Sequence, residues 1–198
     1  MCSLKKHIIF LLLMVCAYQL KAQNDSVFNA GKISSFQLYN NSQQKDIKLA
    51  LSSADYSLFV FLSPECPLCQ NYSNVLNGLY KKFEGSINMY SIIPGNAYNQ
   101  KDVNTFASTY HIQFPLLTDA TKKLSDYLKA SITPEAILVD NKGQLIYKGA
   151  VDNLLEGLGK RRIKATSNYL EDAITAAINH QPITIKRTKA IGCKINNY

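Results

Sequence analysis

The sequence predicts an α/β domain: a central mixed β-sheet with helices on both of its faces. Three observations lead there. The unbroken apolar run Leu58-Phe59-Val60-Phe61-Leu62 suits a strand buried on both sides. Directly after it, Leu68, Tyr72, Val75, Leu76, Leu79 and Phe83 recur at steps of three and four, which is one face of a helix. Further strand and helix patterns alternate behind these two, the order expected when helices pack over a sheet.

Taken from its start, the chain opens on a segment that does not read as part of the fold. Lys5 and Lys6 precede an apolar run from Ile8 to Ala17, and the small Ala22 stands before Gln23, the layout of a secretory signal peptide over residues 1–22. A bilayer span needs about 18 or more apolar residues, and this run is shorter. The expectation is an exported protein, periplasmic or otherwise extracytoplasmic, with no stable membrane span. Cys16 offers a second reading as a lipidation site, although Val15 stands where a small residue normally precedes such a cysteine. Residues 23–180 then form one domain and residues 181–198 a C-terminal tail.

Two short strands, Phe36 to Leu38 and Ile47 to Leu51, flank the polar turn Asn40 to Lys45. The apolar run at Leu58 stops at Ser63-Pro64, and the helix after it begins with Pro67, which a first helical turn accepts because the missing N–H has no partner there. Gly85 closes that helix. Ile87 to Ile93 reads as a strand ended by Pro94-Gly95, and Val103, Phe106, Ala107 and Tyr110 as a second helix. Phe114 to Leu117 is a short strand and Thr121 to Leu128 a short helix. Ala136 to Val139 and Leu145 to Tyr147 pair around Asp140-Asn141-Lys142-Gly143, with the glycine as the hairpin signal. Asp152 to Lys164 has no pattern. Leu170, Ala173, Ile174, Ala177 and Ile178 mark the last helix, with Glu171 and Asp172 in its first turns, where acids complement the dipole.

Charge narrows the partners. Loss of Lys5, Lys6 and Lys21 with the leader lowers the formal charge of +8 to +5. The late basic residues Lys160, Arg161, Arg162 and Lys164, then Lys186, Arg187 and Lys189, lack an accompanying aromatic or helical reading surface. They read as a solvated face, and no nucleic acid is expected as a partner.

Cysteine usage points to chemistry. With Cys2 and Cys16 gone, Cys66, Cys69 and Cys193 remain. A structural disulfide framework in an oxidising compartment normally has an even count at wider spacings. Cys66-Pro67-Leu68-Cys69 instead lies between a buried strand and the helix it opens. At the cap position, unpaired N–H groups and the helix dipole favour an anion, so the Cys66 thiol should ionise easily. Cys69, one turn on, can reach back to close a small disulfide and resolve a mixed one. The pair also fits half of a zinc site or an inert local disulfide. No second Cys-x-x-Cys or His pair accompanies it, and only His111 and His180 remain, at helix ends and far apart. No metal and no cofactor beyond the redox-active disulfide is expected.

Phe59 to Phe83, with Cys66-Pro67-Leu68-Cys69, resembles the active-site strand and helix of the thioredoxin superfamily. Thr133-Pro134 resembles its cis-proline loop. From Phe36 to Cys193 the chain is similar to the redoxin branch, the AhpC/TSA-like group of peroxiredoxin-like and thiol-disulfide isomerase-like proteins. Phe114-Pro115-Leu116-Leu117-Thr118-Asp119, Thr133-Pro134-Glu135, Tyr147-Lys148-Gly149-Ala150-Val151-Asp152 and Thr188-Lys189-Ala190-Ile191-Gly192-Cys193 carry that likeness. The resemblance implies a thioredoxin-like fold, Cys66 and Cys69 as catalytic residues, and Thr133 and Pro134 as the place where substrate binds. It implies protein or small-molecule thiols and disulfides, or a redox partner protein, as partners.

Departures from that pattern matter too. Glu65, not Trp, precedes Cys66, and a carboxylate there opposes a thiolate. Val60 stands where thioredoxins place a buried acid. Ser63 fits the hydroxyl position of a peroxiredoxin motif, but Phe59 replaces its proline. Glu65, Pro67 and Cys193 are accessory candidates. Cys193 reads either as a third exchanging thiol or as a cysteine on a tail that is frayed or pinned back. Beside the oxidoreductase stand two alternatives: a thiol peroxidase with Cys66 as the peroxidatic residue, and a Cu(I)-binding thiol carrier, which needs a third donor.

Overall fold

The computed structural model describes residues 27–195. The signal-peptide expectation, with Cys2 and Cys16, lies outside them. Seven strands form the main sheet: β1 (Gln37–Asn40), β2 (Lys45–Lys48), β3 (Tyr56–Phe61), β4 (Asn88–Pro94), β5 (Leu116–Asp119), β7 (Glu135–Asp140) and β8 (Leu145–Gly149). Their order is β2-β1-β5-β4-β3-β7-β8. Neighbours β3 and β4, and β4 and β5, run parallel; the other pairs are antiparallel, so the sheet is mixed as the pattern predicts.

Alternation along β3 explains the two-layered core. Successive side chains of a strand point to opposite faces. Leu58, Val60 and Leu62 join one cluster, with Tyr72, Leu76 and Leu79 of α2 (Pro67–Lys82), Val103 and Phe106 of α3 (Gln100–Thr109), and Leu170 and Ile174 of α5 (Tyr169–Ile178). Phe59 and Phe61 join the other, with Ile33 of α1 (Ala30–Ser35) and Leu124 of α4 (Lys123–Tyr127). All five residues of the run are at most 1% exposed, which is why it carries no polar alternation.

The structure corrects several details. Val75 is 40% exposed although it shares the helical spacing. The buried arc of α2 is centred on Cys69, Tyr72, Ser73, Leu76 and Leu79, and Val75 falls on its rim. Polar Ser73 fits inside that arc because its hydroxyl donates to the Cys69 carbonyl at 3.1 Å. Strand β2 ends at Lys48, and Leu51 begins a 3-10 turn instead. Strand β5 starts at Leu116, after Pro115, which has no N–H to give a ladder. Gly143 closes the β7–β8 turn at φ +85, and a Cβ there would lie 2.1 Å from the Phe28 carbonyl oxygen, so glycine is required.

Three features carried no readable pattern. Helix α1 is short and capped by Asn29, whose side chain accepts from Lys32 N at 2.8 Å. Residues 152–164 contain a small hairpin, β9 (Leu155–Gly157) with β10 (Lys160–Arg161), on which Lys160, Arg161, Arg162 and Lys164 are exposed. Finally, β6 (Ile132–Thr133) pairs antiparallel with β11 (Cys193–Lys194), so the tail returns to the domain. Lys148 and residues 186–188 add two backbone bonds, Lys148 N to Lys186 O at 3.0 Å and Thr188 N to Lys148 O at 3.1 Å. No helix among the described residues is long and apolar enough to cross a membrane.

Candidate active site

The site forms where β3 gives way to α2. The chain leaves the sheet with Leu62 N bonded to Ile92 O at 2.8 Å, then turns tightly, with Cys66 N donating to Ser63 O at 3.1 Å. Gln70 reaches back from the helix to the Pro64 carbonyl at 2.8 Å and fixes this turn. Cys66 is the N-cap residue, in extended backbone conformation, and Pro67 follows at the first helical position. Cys66 therefore stands at the positive end of the helix dipole.

Opposite lies the loop ahead of β7, where the Thr133–Pro134 bond is cis. As a thiol, Cys66 donates to the Thr133 carbonyl at 3.3 Å. The third sulfur, Cys193 Sγ, lies 2.7 Å from Cys66 Sγ, since β11 pairs Cys193 with Thr133. All three cysteines are free thiols. Cys66 and Cys69 are 2% and 0% exposed, and Cys193 is half-buried.

Their surroundings separate the three thiols. A hydrogen bond from the Cys69 thiol holds Cys66 far below the ordinary 9.0, to about 4; burial opposes this, while Cys193 and the Cys69 backbone N–H add to it. Cys69 is pushed up, first by burial and then by the hydrogen bond and negative charge of Cys66. Cys193 rises to about 11, again through burial first and Cys66 second. Of the three, Cys66 is therefore the one most easily ionised, and Cys69 and Cys193 are the ones that keep their protons. Ser63 N also donates to Cys69 Sγ at 3.3 Å.

The remaining candidates fall into place around this cluster. Pro67 is exposed at the helix start. Glu65 is exposed as well, and its effect falls on Tyr98, whose hydroxyl is raised by burial and then by the Glu65 charge. The largest influences on Cys66 are the neighbouring thiols and burial. The Ser63 hydroxyl shares a 2.8 Å hydrogen bond with the Tyr98 hydroxyl. Val60 is fully buried, as an apolar residue should be.

Sequence reasoning assigned no role to four residues around the site: Tyr98, Tyr72, Asp152 and Glu135. Tyr98 lines a cleft of about 270 Å³ with Ser63, Glu65, Thr133 and Lys194 beside the thiols. Tyr72, one turn beyond Cys69, donates its hydroxyl to Asp152 at 2.5 Å, and both are buried. Asp152 is a buried acid that the chain supplies just after β8, not from β3. Only Asp152 at the end of the quoted Tyr147–Asp152 segment hinted at it. Glu135, buried, accepts from Ser131 N at 3.0 Å and faces Lys148 at 3.8 Å, which fixes the loop that carries β6.

Comparison with known proteins agrees with this architecture. Residues 30–148 match the model of the AhpC/TSA family. No curated protein matches the chain. A hypothetical protein of Sinorhizobium meliloti 1021 superimposes with a TM-score of 0.73 at 22% identity, over 87% of this chain and 95% of that one. A secreted Mycobacterium tuberculosis disulfide oxidoreductase homologous to E. coli DsbE gives 0.53 at 14% identity, over 75% and 98%. The bacterioferritin comigratory protein of Xanthomonas campestris, described for alkyl peroxide reduction, gives 0.56 at 14% identity, over 79% and 98%. At these identities the likeness speaks for the fold, which is thioredoxin-like.

Proposed function

The chain belongs to the AhpC/TSA family, and on that premise we propose that it is an exported thiol–disulfide oxidoreductase exchanging a Cys66–Cys69 disulfide with protein or small-molecule thiols. One observation carries the reading: Cys66 caps a helix start and faces the Thr133 carbonyl of the cis Thr133–Pro134 bond, with the buried Cys69 one turn behind it. In the reducing direction, the Cys66 thiolate attacks a substrate disulfide, forms a mixed disulfide and releases one substrate thiolate. That step removes the negative charge from Cys66. Two of the causes that hold the proton on Cys69 are the charge and hydrogen bond of Cys66, and both vanish with it. Cys69 then loses its proton, attacks Cys66 and frees the second substrate sulfur. Thr133 and Pro134 border the thiols where a substrate chain would lie.

Equilibration in defined thiol–disulfide buffers, followed by mass-spectrometric mapping of linked peptides, tests this. A reversible Cys66–Cys69 disulfide is expected. A midpoint near about −250 mV or below marks a reductant and one near about −120 mV an oxidant. Absence of that disulfide at every poise overturns the reading. Rapid sulfenic acid formation at Cys66 with micromolar peroxide would instead move the reaction to peroxide reduction. The copper-carrier alternative needs a third donor beside the pair; tight Cu(I) binding by the reduced protein, lost on replacing either Cys66 or Cys69, would favour it, and no binding would dismiss it.

A further inference from the structure

A cysteine near a chain end is ordinarily free to fray. Cys193 is held on both sides. Ile195 N bonds to Ser131 O at 2.9 Å, Cys193 and Lys194 pair with Thr133 and Ile132, and the Thr133 hydroxyl donates to Cys193 O at 3.4 Å. Gly192 lies so close to β6 that a Cβ on it would stand 2.0 Å from the Thr133 carbonyl oxygen. These contacts bring Cys193 Sγ to 2.7 Å from Cys66 Sγ, closer than van der Waals contact and longer than the bond of about 2.05 Å in a disulfide.

The exposures of the three sulfur-bearing residues give this contact a direction. Cys66 and Cys69 are buried, and Cys193 is the half-exposed member. An external thiol approaching from solvent therefore meets Cys193 before it meets Cys66. We propose that Cys193 is a third catalytic thiol, a relay that carries the disulfide between the buried Cys66–Cys69 pair and thiols in solution. The proposal rests on the reading that Cys66 and Cys69 exchange disulfides.

Each step balances. The Cys193 thiolate attacks Cys66 Sγ, the Cys66–Cys69 bond breaks, and Cys69 leaves as a thiolate that takes up the proton Cys193 gave away. No electrons enter or leave. A thiolate of a partner dithiol then attacks Cys193 Sγ, and Cys66 leaves as the stabilised thiolate. The partner's second thiol resolves its bond to Cys193. The net result is a partner dithiol oxidised to a disulfide and the Cys66–Cys69 disulfide reduced; run backwards, the same steps reduce a partner disulfide. With Cys66 bonded to Cys69, the charge and hydrogen bond of Cys66 that raise the Cys193 thiol are gone, which favours the first step.

Three variants test the relay, each read by peptide mapping and by the rate of exchange with an external dithiol such as dithiothreitol. Oxidised Cys69→Ser should form a Cys66–Cys193 disulfide. Cys193→Ser should still form Cys66–Cys69 but exchange it about 10-fold more slowly or worse, because direct attack then waits for the site to open. Gly192→Ala keeps all three thiols but displaces the tail, and should lose the Cys66–Cys193 link while retaining Cys66–Cys69. If oxidised Cys69→Ser leaves Cys66 and Cys193 as free thiols, or Cys193→Ser exchanges as fast as the unaltered protein, the relay is overturned. Failure of Cys193→Ser to form Cys66–Cys69 would instead strike the oxidoreductase reading itself.

Discussion

The Cys66 sulfur lies 3.3 Å from the carbonyl oxygen of Thr133, 67 residues further along the chain. That contact joins the start of α2 to the loop before β7.

Cys66→Ser should reduce thiol–disulfide turnover to background, since no other thiol here is held as an anion. Cys69→Ser should instead divert the disulfide to Cys66–Cys193, and the double variant Cys69→Ser with Cys193→Ser should accumulate mixed disulfides on Cys66, visible as added mass that dithiothreitol removes. Full turnover by either variant would contradict the assigned roles.

The thiolate band in the ultraviolet spectrum should report ionisation of Cys66 without any need for reagent access. Because Cys66 is lowered from 9.0 to about 4, the band should persist as pH falls through neutrality and fade only near pH 4. The sign for stability is the same. A depressed pKa in the folded state gives the reduced protein a contribution that is complete above 9.0 and drains as pH falls towards about 4. Cys66→Ser should flatten that part of the stability profile. A thiolate band that titrates near 9 would overturn the assignment.

Tyr72→Phe removes the hydroxyl that donates to Asp152, leaving a buried carboxylate oxygen short of a donor. The cost should be about 1–3 kcal/mol. Asp152 keeps its bond from Leu154 N, which argues against complete loss of the local turn. Denaturant unfolding of the two proteins measures the difference, and an unchanged midpoint would mean that water replaces the tyrosine.

Val75→Lys and Leu76→Ala separate the rim of α2 from its buried arc. Val75 is 40% exposed and Leu76 fully buried. The first change should stay within about 0.5 kcal/mol and the second should cost about 2–5 kcal/mol. Equal losses would mean that α2 is rotated about its axis relative to the structure.

What was readable in advance followed from local physics. Leu58 to Leu62 had to be a doubly buried strand because no polar residue interrupts it, and Cys66-Pro67-Leu68-Cys69 had to open a helix because an apolar period of three and four follows it. Gly143 marked the hairpin because only glycine fits its turn. Short-range patterns are silent on two-residue strands such as β6 and β11 and on the six-residue helix α1, which no apolar period announces.

By itself, then, the sequence determined the α/β class, the strand–turn–helix that carries Cys66, and the spacing that lets Cys69 reach it. Those depend on residues within a turn or two of one another. Tertiary structure alone decided that Cys193 meets Cys66 across 127 residues, that Asp152 lies beside Tyr72, and that Glu65 acts on Tyr98 while Cys66 is set by its neighbouring thiols. Those relationships arise where β6, β8 and the returning tail converge on one end of the sheet, and their register comes from backbone hydrogen bonds and close packing, which leave no periodic trace in the order of side chains.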